Sequence, residues 1–467
     1  MASIGKVATG SWLAGILTVF GLSLGQAAKV DAHGGDATKI HACVNNYSGE
    51  IKIVSPSATC ASNWSPLDWN VTGPAAPPPR TQPMDFAVNC PGQTIQGALG
   101  QGLVPGDRLL VSGTCNENVV IGEVFNSITI EGQGTATING PDATQDTINI
   151  RGRRILIKGF SITGGNSGIN ILRGGTAIVD GNVIEHTGQH GIGVGQGSVA
   201  TIVNNTIRNN PVHGIFIGFG SANIGFRGGD TVASPNFIQD NGQIGIALGD
   251  SSSARIDGNT ITGNTRFGIN VAESSSARIG FTGIPGSLTA ANMIRNNGGG
   301  GIRVASASHA GIEGNFVEDN AFFGILVDFS SSADIGFRGL SNSVQNNTGG
   351  GIIVSHSSSA RISAAVISGN TGDGVRIVQA SQADLGGNTI NMNNGTGIRL
   401  EGNSGVNLSG NTGNNGQFGL SCRTGSYASG FIGVMTGAIG QKDFGINTIV
   451  PPGVTINSED CIDRTFP

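Results

Sequence analysis

The sequence predicts an all-β chain wound as a right-handed, single-stranded parallel β-helix, with three short strands per coil and about 13 coils. Three observations predict it. A Gly-apolar-x-apolar element recurs with its glycine at positions 168, 191, 214, 245, 268, 301, 324, 351, 374, 397 and 419. Asparagines recur in step with those glycines at two further positions of the repeat. The composition also fits: 79 of 467 residues are glycine, 12% are charged and 5% aromatic, unlike a layered α/β domain, yet 37% are hydrophobic, enough to bury a core.

Six of the ten intervals between those glycines are 23 residues; the others are 31, 33, 27 and 22. A period of this size means a solenoid, so three coils carry insertions and one is a residue short. Within a coil, an apolar residue directly after the glycine and another two further on flank an outward residue, the alternation of a strand. A second strand begins nine residues after the glycine with a column of alanine followed by Ile, Val or Leu, as in Ala177/Val179, Ala200/Ile202, Ala254/Ile256, Ala277/Ile279 and Ala333/Ile335. A third centres on the apolar residue two after an asparagine, as in Asn182-Val183-Ile184 and Asn259-Thr260-Ile261. No stretch of the repeats keeps a 3.6-residue period, which excludes helical repeats.

The asparagines fall in two columns. One holds Asn182, Asn205, Asn236, Asn259, Asn292, Asn315, Asn342, Asn388 and Asn411, interrupted by Ala365. The other holds Asn210, Asn241, Asn264, Asn297, Asn320, Asn347, Asn370, Asn393 and Asn415. Amides stacked in this way hydrogen-bond along the solenoid and satisfy the turns.

At the N-terminus, Lys6 followed by the apolar stretch from Trp12 to Gly25 reads as an export signal, residues 1–32, cleaved after Ala27 or Ala32. Residues 33–72 form a small disulfide-clipped module, 73–84 a proline-rich linker, 85–422 the β-helix and 423–467 a cap expected to cover the last coil. Six cysteines pair by proximity as Cys43–Cys60, Cys90–Cys115 and Cys422–Cys461, a usage that suits an oxidising compartment. A net charge of -5 supplies no basic field for nucleic acid, and no segment of the mature chain is apolar enough to span a bilayer.

After the linker, Thr94-Ile95-Gln96-Gly97-Ala98-Leu99 and Pro105-Gly106-Asp107 precede the first strands. Here the chain resembles the pectin-lyase-like right-handed β-helix family of pectate lyases, polygalacturonases and NosD-like periplasmic proteins. In that family, a Thr-Ile-Gln-x-Ala-Leu helix plugs the first coil and a Pro-Gly-Asp segment leads out of it. The resemblance covers about residues 85 to 425; it implies the fold and leaves the activity open. The segment His41-Ala42-Cys43-Val44-Asn45-Asn46 is similar to a piece found ahead of bacterial extracellular domains, which implies a bacterial source.

The insertions begin alike, at Ile224-Gly225-Phe226-Arg227-Gly228, Ile279-Gly280-Phe281-Thr282-Gly283 and Ile335-Gly336-Phe337-Arg338-Gly339, and occupy one corner of alternate coils. Beside this loop wall, the outward column of the second strand reads Arg255, Arg278, Gly311, Asp334, Arg361, Asp384. Like charges on neighbouring strands are unfavourable, which makes Arg255 over Arg278 informative. With Arg227 and Arg338 from the loops, this column forms a candidate site for an acidic polysaccharide. The competing reading is a solvated face with its charges paired. The first strand offers a second outward column, Arg303, Arg376 and Arg399, with Asp373 and Glu401 near. His190 and His213 stack in one column with Glu185 and His186 close in sequence: an acid-base set, a metal pair or turn packing. An amino-terminal His33, if cleavage follows Ala32, would chelate copper.

The motifs of polygalacturonases (Asn-Thr-Asp, Asp-Asp, Gly-His-Gly, Arg-Ile-Lys), the Asp-Pro-His of alginate epimerases and Gly-Gly-x-Gly-x-Asp calcium repeats are all missing. No catalytic residue, no cofactor and no metal site is identified; calcium stays open without a site, and so does the oligomeric state. Two functions are carried forward. One is a secreted, periplasmic or extracellular protein that binds or processes an acidic polysaccharide or cell-surface glycan, as a lyase, hydrolase or epimerase if it is an enzyme. The other is a noncatalytic surface or adhesive rod, suggested by serine runs such as Ser251-Ser252-Ser253 and Ser330-Ser331-Ser332.

Overall fold

A computed structural model of the chain describes residues 39–70, 82–228, 233–280, 291–337, 340–443 and 461–466. Two compact units divide between residues 80 and 81. The first is an antiparallel sheet of Lys39–Asn45, Ile51–Val54 and Trp64–Asn70, with the first of these in the centre and Cys43 joined to Cys60. The signal segment, His33 and most of the linker lie outside the described residues.

The second unit is the parallel β-helix. Fourteen strands, from Val119–Ile121 to Gly440–Asp443, pair in parallel as the glycine-led first sheet. At about 4.7–4.9 Å per strand this stack is about 60 Å long. Register is kept through the long coils as well as the short ones: Ile192 pairs with Ile215, Ile215 with Ile246, Ile269 with Ile302 and Ile302 with Ile325. The β-branched side chains of these columns point inward and are completely buried, as are those of the third sheet, where Ile207, Ile238, Ile261 and Ile294 are consecutive partners. A slip of one residue would turn each column outward, so the pattern itself enforces the register.

The alanine column of the second sheet includes Ala222, partner of Ala200 and Ala254. It stands one residue nearer its glycine than the spacing elsewhere, because that coil is short in its first turn and its loop is correspondingly longer.

Ladders satisfy the turns. In one, the Asn Nδ2 of each coil donates to the Oδ1 of the next at 2.8–3.0 Å from Asn210 to Asn415. The same nitrogens also donate to carbonyls of the preceding coil, such as Asn241 to Ile207 O. The other runs from Asn182 to Asn342 at 2.9–3.1 Å, stops at Ala365 and resumes at Asn388. A third ladder is made of serine. The backbone N–H of Ser252, Ser275, Ser308, Ser331, Ser358, Ser381 and Ser404 each donates to the hydroxyl of the serine one coil on, ending at Ser426. Before each of these serines from Ser252 to Ser381, two residues sit in the left-handed region at φ of 51–60°. The serine runs therefore build a turn, and their middle members are buried.

The helix Ile95–Leu99 buries Ile95, Ala98 and Leu99 in the core at the N-terminal end. Thr94 Oγ1 caps it by accepting from Gly97 N, and the Glu117 carboxylate accepts from Ile95 N and Gln96 N at 2.7 and 2.9 Å. At the other end the winding does not stop at residue 422. Tyr427–Gly437 pairs in parallel with Gly405–Asn415, and Ile462–Phe466 pairs with Tyr427–Phe431, so the described part of the tail adds strands to the solenoid. Disulfides Cys90–Cys115 and Cys422–Cys461 clamp the two ends.

Candidate functional site

In-register pairing converts the outward column of the second sheet into a row of neighbours. Asn223, Arg255, Arg278, Gly311, Asp334, Arg361, Asp384 and Asn407 succeed one another strand by strand. A groove of about 610 Å³ runs along this row, lined by Arg255, Arg278, His309, Gly311, Glu313, Asp334 and Phe337 among others. A second hollow of about 400 Å³ shares His309 and Asp334 and continues past Arg361 and Asp384 to Tyr427. Five of the seven residues predicted for this site therefore line one continuous face.

Each arginine has a different environment. Arg255 bonds through Nε to the buried Asp257 carboxylate, and the Phe226 ring from the first loop covers its guanidinium at 4.3 Å. Burial pushes the Asp257 carboxyl up, opposed by Arg255 and then Arg278; its Oδ1 is buried without a hydrogen-bond partner among the described residues. Arg361 lies under Phe337 at 4.3 Å and reaches Asp334 at 4.0 Å. Phe226 and Phe337 thus each cover the arginine one coil further on; Phe281 of the middle loop lies outside the described residues. Arg278, between these two, is exposed and makes no ion pair among the described residues. The next coil has glycine in the column, so among the described residues no side chain of the column stands beside Arg278 on that side. His309 Nδ1 contacts Ser332 Oγ at 2.9 Å, and Glu313 is buried at the loop end of the groove.

Arg227 does not join this row. Its guanidinium pairs with Asp180, a carboxylate two coils earlier that draws it away from the groove. Arg338 lies outside the described residues. The first-sheet set is a paired network. Arg303 reaches Asp328 at 3.2 Å, with Phe267 and Phe329 at 5.7 and 5.9 Å. Arg376 and Arg399 are register partners that share Glu401, at 3.2 and 2.7 Å. Against the upward push of burial, those two guanidiniums hold the Glu401 carboxyl below its usual range. Asp373 is pushed up by burial and accepts from Thr396 N at 2.8 Å.

His190 and His213 stack at 5.1 Å, and Phe216 lies 5.1 Å from the His190 ring. Glu185 bonds instead to Arg208 Nε at 2.7 Å, so no carboxylate–imidazole set forms with the stacked rings. Burial lowers both histidines, His213 to about 4 with further opposition from His190 and Arg266.

Asp257 and Glu313 escaped the sequence reading, although a signal was present. They stand two residues after the outward column, on the same side of the strand, in coils that follow a loop-bearing coil. Among the described residues, one group of three His, Cys, Asp or Glu side chains is close enough to hold a metal ion: Cys90, Cys115 and Glu117. Its cysteines are joined to each other and its glutamate caps the helix. No helix of the described residues is long and apolar enough to cross a membrane.

A parallel solenoid with three strands per coil, ladder-filled turns and a plugged end defines the pectin-lyase-like class of β-helix. The chain belongs to the right handed beta helix family, whose model matches residues 109–228, 224–339 and 289–433, well over half of the sequence. No curated protein matches it. Among solved structures it is similar to the A-module of the Azotobacter vinelandii mannuronan C-5 epimerase AlgE4, at 16% identity and a TM-score of 0.39 over 78% of this chain and 92% of that one. It is similar to the pectate lyase Pel9A at 13% identity and TM-score 0.33, over 61% of this chain and 78% of that one. The Yersinia enterocolitica family 28 exopolygalacturonase is similar at 11% and 0.27, over 92% and 83%. The likeness is one of fold.

Proposed function

We propose that this protein is exported and, outside the cytoplasm, binds or processes an acidic polysaccharide laid along the groove of its second sheet. The observation that carries the reading is the exposed Arg278, stacked directly on Arg255, lining the groove and in no ion pair among the described residues. Two arginines in register repel each other across one strand spacing; Asp257 offsets this from the Arg255 side, and the exposed face of Arg278 is left to attract an anion. A guanidinium fork is suited to a carboxylate, and a row of subsites at a fixed strand spacing suits a polymer. The export signal and three disulfides support an oxidising location outside the cytoplasm. The serine runs, being turn ladders, no longer favour an adhesive rod.

An acidic-glycan array, with turnover assays on polyuronates, tests the reading. The protein should retain polyuronate, and Arg278→Ala, alone and with Arg255→Ala, should weaken binding by at least about tenfold without unfolding the coil. Added salt should weaken the wild-type complex as well. No binding to any acidic glycan, or equal binding by the double variant, would leave a noncatalytic rod as the function.

A further inference from the structure

We propose that the gap at Gly311 is a subsite for a single uronate residue of the bound polymer, its carboxylate held by Arg278. The inference rests on the groove reading above and specifies what the groove selects. Gly311 interrupts a row of charged side chains, and a Cβ built there would meet nothing within 4 Å. Among the described residues the row is therefore missing one side chain in the middle, leaving a notch between Arg278 and Asp334. Those residues lie two strands apart, about 9.5 Å, which gives room for one sugar ring across the row.

The walls of the notch differ in chemistry. Arg278 supplies a cation, Asp334 an acceptor held in place from its far side by Arg361, and His309 an imidazole two residues before Gly311. Phe337 lines the same groove, half exposed at 51%, and offers an apolar surface to the C–H face of a pyranose. The flanking cations are engaged: Arg255 by Asp257 and Phe226, Arg361 by Asp334 and Phe337. Among the described residues of the row, one cation free of ion pairs stands beside one gap, which selects one acidic residue per register. Neighbouring sugars need carry no charge.

The test is titration calorimetry with trigalacturonate and trimannuronate, each as free acid and as methyl ester. The free acid of at least one trisaccharide should bind, and its ester should bind at least about tenfold more weakly. Gly311→Val, which suits a strand and fills the notch, should weaken binding by at least about tenfold while the melting temperature holds or rises. Gly311→Ala should weaken it less, and Arg278→Ala should erase the difference between acid and ester. Should Gly311→Val bind like the wild type while Arg278→Ala does not, the notch is wrong and the groove stands. Retention on the polymer array without affinity for either trisaccharide has the same meaning. Failure to bind any acidic glycan removes both.

Discussion

His213 shows how one half-buried residue sets a pH response. Its ring stacks on His190, its Nδ1 accepts from Ile244 N at 3.4 Å, and burial lowers its pKa to about 4. An unfolded histidine titrates near 6.5. Between those values the unfolded chain takes up a proton that the folded chain refuses, so this contribution is intact above pH 6.5 and is lost as pH falls toward 4. His190 and Arg266 oppose the same protonation from either side. Phe267 and Phe323 occupy the same column of later coils, so a phenylalanine ring fits there. His213→Phe should therefore flatten the fall in melting temperature between pH 6.5 and 4; parallel curves for variant and wild type would refute the account. Buried Asp257 and Asp328 and half-buried Asp373, whose carboxyls are pushed up, act in the opposite sense in both proteins and cancel in the difference. At this scale the sequence was half legible. Arg255, Arg278 and Asp334 could be read because strand alternation alone fixes which side they occupy. The pairing of Arg227 with Asp180, and the covering of Arg255 by Phe226, depend on side-chain reach across coils and could not be read.

The turn ladders belong to the scale of the element, where one interruption is informative. Ala365 stands in the first asparagine ladder between Asn342 and Asn388, its N–H donating to Asn388 Oδ1 at 2.9 Å. It offers no side-chain acceptor to Asn342, whose Nδ2 makes one hydrogen bond, to Ile312 O, among the described residues. Ala365→Asn should join the two halves of the ladder and stabilise the coil by about 1 kcal/mol, a typical net worth of a buried hydrogen bond. Urea unfolding would measure it, and an unchanged or lowered midpoint would mean the site does not accept the amide. The asparagine ladders were visible in the sequence because the same residue type returns at a fixed place coil after coil, with Ala365 the exception in the first. The serine ladder was hidden because Ser252, Ser275, Ser331 and Ser358 lie inside runs of three serines, of which the middle one is buried, while Ser308, Ser381, Ser404 and Ser426 stand alone. Composition made those runs look like solvent-facing decoration, while the left-handed residues before them turn the middle hydroxyl inward.

At the scale of the second unit, each coil contacts chiefly its neighbours, so stability is close to a sum of coil and interface terms and a defect stays local. Periodicity alone therefore predicted the solenoid and its register. The ends break the period, which is why the fate of the tail was not legible: Ile462–Phe466 pairs with Tyr427–Phe431 as a further strand, where a cover over the last coil was expected. That strand is tied back by Cys422–Cys461, which closes a loop of sequence separation 39. Closing a loop of this length restricts the separated chain more than the paired one, so the bridge favours docking of the strand by a few kcal/mol, about 2–4. Replacing both cysteines with serine should raise amide exchange in Tyr427–Gly437 and Gly440–Asp443, while Ile192–Gly195 to Phe323–Val327 exchange as before. Faster exchange throughout the β-helix would mean that the coils unfold as one cooperative block, and the nearest-neighbour account of this solenoid would then have to be abandoned.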